Sequence, residues 1–131
     1  MDTILGYRRP DNRIGIRNHL LIIPSVICSS TVAECIARNT EGAVCLPNQY
    51  GCGQIGKDLE QTIRTLVGLG RNPNVGAVLV VGLGCELVRP ENLADQIGSS
   101  GKPVEMITIQ DAGGREKRDR TGAAKPRQFD P

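Results

Sequence analysis

Val75-Gly76-Ala77-Val78-Leu79-Val80-Val81, running into Gly82-Leu83-Gly84-Cys85-Glu86, is the stretch that decides the fold. A short valine-rich run that is apolar throughout and stopped by glycines reads as a strand buried on both faces, the habit of parallel sheets. Three similar runs flank it. His19-Leu20-Leu21-Ile22-Ile23 stops at Pro24, Gly42-Ala43-Val44-Cys45-Leu46 stops at Pro47, and Val104 to Ile109 opens on Gln110-Asp111-Ala112-Gly113-Gly114.

The spacing between these runs predicts helices. Ser29 or Ser30 can cap a helix that gathers Val32, Cys35, Ile36 and Asn39 on one face. Leu59, Ile63, Leu66 and Val67 form the apolar stripe of a second helix, which Gly68 or Gly70 can end in left-handed geometry. Pro90 suits the first turn of a third, from Pro90 to Ile97. The alternation β-α-β-α-β-α-β makes the chain α/β, a Rossmann-like or flavodoxin-like three-layer domain with a mainly parallel sheet of about four strands. Residues 1–18 read as a turn-rich basic segment or irregular hairpin, 19–114 as the α/β domain, and 115–131 as a polar, poorly ordered tail.

At 131 residues the chain is long enough for one domain with a real core. Phe129, Tyr7 and Tyr50 are its only aromatics, so Val, Ile, Leu and Ala must fill that core. A net charge of +2 without aromatic–basic interleaving argues against a nucleic-acid partner. No apolar run approaches the roughly 20 residues of a membrane helix, and no signal peptide is evident, so no membrane partner is expected. The expected location is cytoplasmic, where five cysteines without scaffold spacing stay reduced.

Three of those cysteines follow strands. Cys28, Cys52 and Cys85 fall in the β-to-α connections, which share one edge of a parallel sheet, the edge where such folds bind ligands. Three thiolates brought together there would suit iron, an iron–sulfur cluster or zinc, with a coordination position left open for substrate. Cysteine is also a small buried hydrophobe, which accounts for Cys35 on an apolar helix face and Cys45 inside a strand.

Other residues have two readings each. Gly51-Cys52-Gly53-Gln54-Ile55-Gly56-Lys57 fits two phosphate-loop patterns incompletely, since Asp58 replaces a magnesium-binding hydroxyl and no acidic residue follows at the ribose position. It is otherwise a tight turn into a helix whose N-terminus and Lys57 could hold a carboxylate. Arg13, Arg17 and Asn18 form a candidate anion clamp, or a soluble surface. Glu86 is a candidate general base, or the acidic first turn of a helix; His19, opening a strand, reads as structural.

Gly6-Tyr7-Arg8-Arg9-Pro10-Asp11-Asn12-Arg13-Ile14-Gly15-Ile16-Arg17-Asn18, Cys28-Ser29-Ser30-Thr31-Val32, Gly51-Cys52-Gly53 and Val80-Val81-Gly82-Leu83-Gly84-Cys85-Glu86 together resemble the altronate and galactarate dehydratase family, which includes sulfolactate sulfo-lyase. The resemblance covers residues 4–114. It implies a cytoplasmic, iron-dependent hydro-lyase acting on a small-molecule sugar acid or related hydroxy acid. Cys28, Cys52 and Cys85 would be the family's cysteine positions, and Arg13, Arg17 and Asn18 its substrate-side loop.

Family members are longer, so the resemblance also implies a small β-rich domain or subunit and a C-terminal region as missing partners, and leaves a homo-oligomer open. The family continues past the glycine pair with an amphipathic helix, whereas the polar run from Arg115 suggests truncation or a changed reading frame. In this reading iron polarises the leaving hydroxyl, Arg13, Arg17 and Lys57 hold the carboxylate, and the fragment alone is inactive. Two further readings are a nucleotide-binding or regulatory α/β module using Gly51–Lys57, and a non-catalytic assembly domain.

Overall fold

A computed structural model describes residues 3–84 and 86–110, so Cys85, Asp111 to Gly114 and the expected polar tail lie outside the described residues. The order is β1 (Tyr7–Arg8), β2 (Ile14–Gly15), β3 (His19–Pro24), α1 (Ile27–Arg38), β4 (Ala43–Cys45), α2 (Gly56–Gly70), β5 (Val75–Gly82), α3 (Pro90–Gly98) and β6 (Val104–Thr108). The last four strands form one parallel sheet in the order β4-β3-β5-β6. Counted within that sheet the order is 2-1-3-4, the flavodoxin-like arrangement.

Side chains alternate across the sheet, as the two-residue period of a strand requires. Leu21, Ile23, Val78 and Val80 pack with Leu66, Val67, Leu93 and Ile97 from α2 and α3. On the other face Ile22, Leu79, Val81 and Ile107 pack with Val32, Ala33 and Ile36 from α1. The continuous apolar runs follow from this: each central strand is buried on both faces, so no polar face interrupts it.

Two helix ends differ from the sequence reading. α1 begins at Ile27 behind Val26, with no side-chain cap, because Ser29 already lies inside the helix and donates from Oγ to the carbonyls of Val26 and Val81, both at 2.8 Å. Cys28 therefore stands in the first turn of α1 rather than in a loop. Neither Gly68 nor Gly70 takes left-handed geometry; α2 runs through both and passes to Arg71 at φ −86°. Gly70 is small for another reason. A Cβ there would lie 2.6 Å from Ile97 Cδ1, so its lack of a side chain lets α2 approach α3.

The N-terminal segment is a small antiparallel hairpin, β1 with β2, turned through Pro10 and Asn12, whose φ of 67° is one that asparagine tolerates. It is fastened to the N-terminal edge of the parallel sheet. Buried Arg9 donates to Pro73 O at 2.7 Å, Asn18 Oδ1 at 2.9 Å and Arg17 O at 2.8 Å, with its guanidinium 5.4 Å from the Tyr7 ring. Beside it, the buried Lys102 ammonium donates to Gly70, Asn72 and Val75 carbonyls, each at 2.9 Å. Burial, with Arg9 nearby, pulls its pKa down to about 8.

The two glycines of α2 make opposite tests. Gly68 is exposed, and a Cβ added there would meet nothing within 4 Å, so Gly68→Ala should stabilise the fold by up to about 1 kcal/mol. Gly70→Ala should cost about 1–3 kcal/mol, because Ile97 is fully buried and has nowhere to go. Thermal or denaturant unfolding of the two variants checks the sign of each.

Candidate functional site

In a 2-1-3-4 sheet the connections after the first and third strands diverge, leaving a crevice at the C-terminal ends of β3 and β5. Ser25 begins the β3 connection and lies fully buried against β5, its N–H donating to Val81 O at 3.0 Å. From there the chain enters α1, which presents Cys28 as an exposed free thiol.

The connection after β4 folds back over this turn. Ile27 N–H donates to Tyr50 O at 3.1 Å, Ser30 Oγ to Asn48 O at 3.0 Å, and the buried Asn48 amide to Pro24 O at 3.2 Å. Gly51, at φ 97°, lies so close that a Cβ would overlap the Ser25 carbonyl. Cys52 follows, also exposed and free. The strand order thus makes the connections after β4, β3 and β5 consecutive neighbours along one rim. Among the described residues, no group of three or more His, Cys, Asp or Glu side chains gathers to hold a metal, and Cys85 lies outside them.

Glu86 closes the connection after β5. Its Oε1 accepts from Ser25 Oγ at 2.5 Å and Leu83 N at 2.8 Å, and its Oε2 from Gly84 N at 2.7 Å. Burial alone would raise this carboxyl, but the Ser25 hydroxyl and the N–H groups of Gly84, Glu86 and Leu83 hold its pKa below the ordinary carboxylate value.

Two cavities flank the rim. One, about 410 Å³, opens between the Asn48–Gln54 connection and α2, bordered by Tyr50, Gln54, Asp58 and Thr62. Gln54 is fixed there, its Oε1 accepting from Gly51 N at 3.1 Å and Thr62 Oγ1 at 2.9 Å. The other, about 470 Å³, lies beyond Glu86 and is bordered by Arg89, Thr108 and Gln110. Lys57, in the first turn of α2, is exposed at the same edge.

The arginine clamp falls elsewhere. Arg13, Arg17 and Asn18 belong to the opposite, N-terminal edge, a β3 length or roughly 20 Å away at about 3.3 Å per strand residue. Arg13 pairs with Asp11 at 2.9 Å and donates to Arg71 O, and Asn18 accepts from Arg9. Arg17 Nη1 reaches only Ile16 O, at 3.3 Å. Within this domain the three do not meet the thiol rim; Arg13 and Asn18 fasten the hairpin instead.

Sequence reading passed over Ser25, Asn48 and Arg89. Ser25 and Asn48 each stand beside a strand-ending proline, Pro24 and Pro47, which marks where a strand turns out of the sheet. Nothing in the sequence distinguishes Arg89 from other arginines.

Exposure and charge separate the thiols. Cys45 is half-buried, and burial, with Glu34 nearby, pushes its thiol up to about 11. Alkylation at pH 9 should therefore modify Cys28 and Cys52 about 10–100-fold faster than Cys45, whose rate climbs toward pH 11 as its thiolate forms. Peptide mapping after timed iodoacetamide treatment measures this; equal rates at pH 9 would contradict it.

The family model described as D-galactarate dehydratase/altronate hydrolase, second domain, matches residues 6–129, so the polar run from Arg115 falls within the matched region. The chain is 45% identical over 111 residues to (2R)-sulfolactate sulfo-lyase subunit beta of Chromohalobacter salexigens, covering 85% of this chain and 28% of that protein. It is 42% identical to altronate dehydratase of Bacillus subtilis, over 64% of this chain and 19% of that one. Galactarate dehydratase (L-threo-forming) of Escherichia coli is 36% identical, over 82% and 23%. No solved structure matches the chain significantly. The chain spans between 19% and 28% of the length of these relatives, and it belongs to the D-galactarate dehydratase/altronate hydrolase family as that family's second domain.

Proposed function

We propose that this chain is the part of an iron-dependent hydro-lyase that binds the metal and removes water from a sugar acid or related hydroxy acid. The observation that carries the reading is the rim itself. Cys28 and Cys52 are exposed thiols on segments joined by the Ile27–Tyr50 hydrogen bond, and the connection containing Cys85 is the next neighbour. Thiolates are soft, anionic donors, and an exposed set leaves a face open to substrate, so these residues fit iron or an iron–sulfur cluster.

Cys28, Cys52 and Cys85 would hold the metal, which when bound supplies Lewis acidity at the departing hydroxyl. Lys57, and Arg89 on the other side, are the cations at this rim able to orient a substrate carboxylate. Glu86 keeps its charge through four hydrogen-bond donors, which suits it to holding its loop, with the proton acceptor another group of this edge or of the remainder of the enzyme. Arg13, Arg17 and Asn18 would serve a substrate only across an interface, from the opposite edge.

The nucleotide-binding alternative has less support. Gly51–Lys57 follows the edge strand β4, and the close approach permitted by Gly51 is made to the chain's own Ser25 backbone. No helix among the described residues is long and apolar enough to cross a membrane, and we read the enzyme as cytoplasmic, in keeping with its free thiols.

Anaerobic purification of the enzyme with iron and sulfide analysis tests the proposal. Near-stoichiometric iron is expected, and Cys52→Ser should lose most of it while its circular dichroism stays unchanged. Full iron content in that variant, or sugar-acid dehydration by an iron-free preparation, would contradict the reading.

A further inference from the structure

The thiols are carried on separate connections, and those connections meet at one buried residue, Ser25, through its hydroxyl on one side and its backbone on the other. Ser25 is fully buried at the head of the β3 connection, yet its hydroxyl reaches across to Glu86 Oε1 at 2.5 Å. Glu86 in turn accepts from Leu83 and Gly84, the residues leading into Cys85 in sequence. The Ser25 carbonyl lies directly beneath Gly51, immediately before Cys52. The Ser25 N–H is held by Val81 O at 3.0 Å, which fixes the whole group to β5. Three residues further on stands Cys28.

We infer that Ser25 is a positioning residue for the thiol rim: its hydroxyl holds Glu86, which fixes the N–H groups of Leu83 and Gly84, while its backbone carbonyl seats Gly51 beside Cys52 and its own connection runs on to Cys28. The inference rests on the metal reading above and adds to it a residue that is neither ligand nor base. A hydroxyl suits this role because it can donate to the Glu86 carboxylate from a fully buried position. A buried donor–acceptor pair that loses one partner leaves the other unsatisfied, so removing the hydroxyl should loosen the Leu83–Glu86 turn rather than the sheet. Groups behind metal ligands commonly change affinity by about 10–100-fold when removed.

Cobalt(II) titration of the reduced enzyme after its iron has been removed anaerobically by chelation, read by sulfur-to-cobalt charge-transfer absorption, tests this apart from turnover. Ser100 provides the control, being a buried serine whose hydroxyl donates to Ile97 O at 2.7 Å at the far edge of the sheet. Ser25→Ala should weaken cobalt binding about tenfold or more, Ser25→Thr should restore it by returning the hydroxyl, and Ser100→Ala should leave it at the wild-type value. If Ser25→Ala does not fold, Glu86→Ala removes the same bridge from its acceptor side and should weaken binding equally. Absence of the charge-transfer band in the wild type would overturn the metal reading, and this inference with it. A wild-type band with Ser25→Ala, or with Glu86→Ala, matching Ser100→Ala would overturn the role of Ser25 alone.

Discussion

Backbone pairing between β3 and β5 runs in parallel from His19 against Val75 to Pro24 against Val81, joining segments more than fifty residues apart. With β4 on the outer side of β3 and β6 beyond β5, that pairing makes the sheet order reverse between its two central strands. Connections leaving a reversal point diverge to opposite faces, which is why α1 covers one face while α2 and α3 cover the other. The crevice between them cannot be filled by the sheet's own helices. Polar residues occupy it instead, namely Ser25, Ser29 and Glu86 with Asn48 alongside.

The two edges of the sheet have different chemistry. At the N-terminal edge Arg9, Arg13 and Lys102 spend their charge on carbonyl oxygens and on Asp11, so cations there hold the hairpin and the end of α2 in place. At the C-terminal edge Lys57 is exposed and Arg89 borders a cavity, and Glu86 is an anion whose donors come from the backbone and Ser25. The hairpin anchors and the exposed thiols Cys28 and Cys52 therefore stand at opposite ends of the parallel strands. The basic cluster of the N-terminal segment lies at the hairpin end of the strands.

Much of this was legible in advance. Strands buried on both faces must be written as unbroken apolar runs, so β3 and β5 stood out, and alternation with helices implied a parallel sheet. The side of the sheet reached by each β-to-α connection also follows from chain direction alone, which is why Cys28 and Cys52 could be assigned to one edge. What the sequence hid depends on contacts between distant segments. Gly70 looked like a helix stop, but its smallness serves the packing of Ile97. Ser29 looked like a cap, but its hydroxyl is drawn inward to Val81, letting α1 start two residues before it. Arg13 and Asn18 looked free to bind an anion because their partners, Arg71 and Arg9, become visible only when the hairpin folds onto the edge.

The central claim is that sulfur from this rim binds the enzyme's metal. Iron K-edge X-ray absorption of the anaerobically purified enzyme addresses it most directly. The account expects a first coordination shell dominated by sulfur, with scattering that diminishes in Cys28→Ser and Cys52→Ser alike. A first shell of oxygen and nitrogen only, unchanged in both variants, would contradict it.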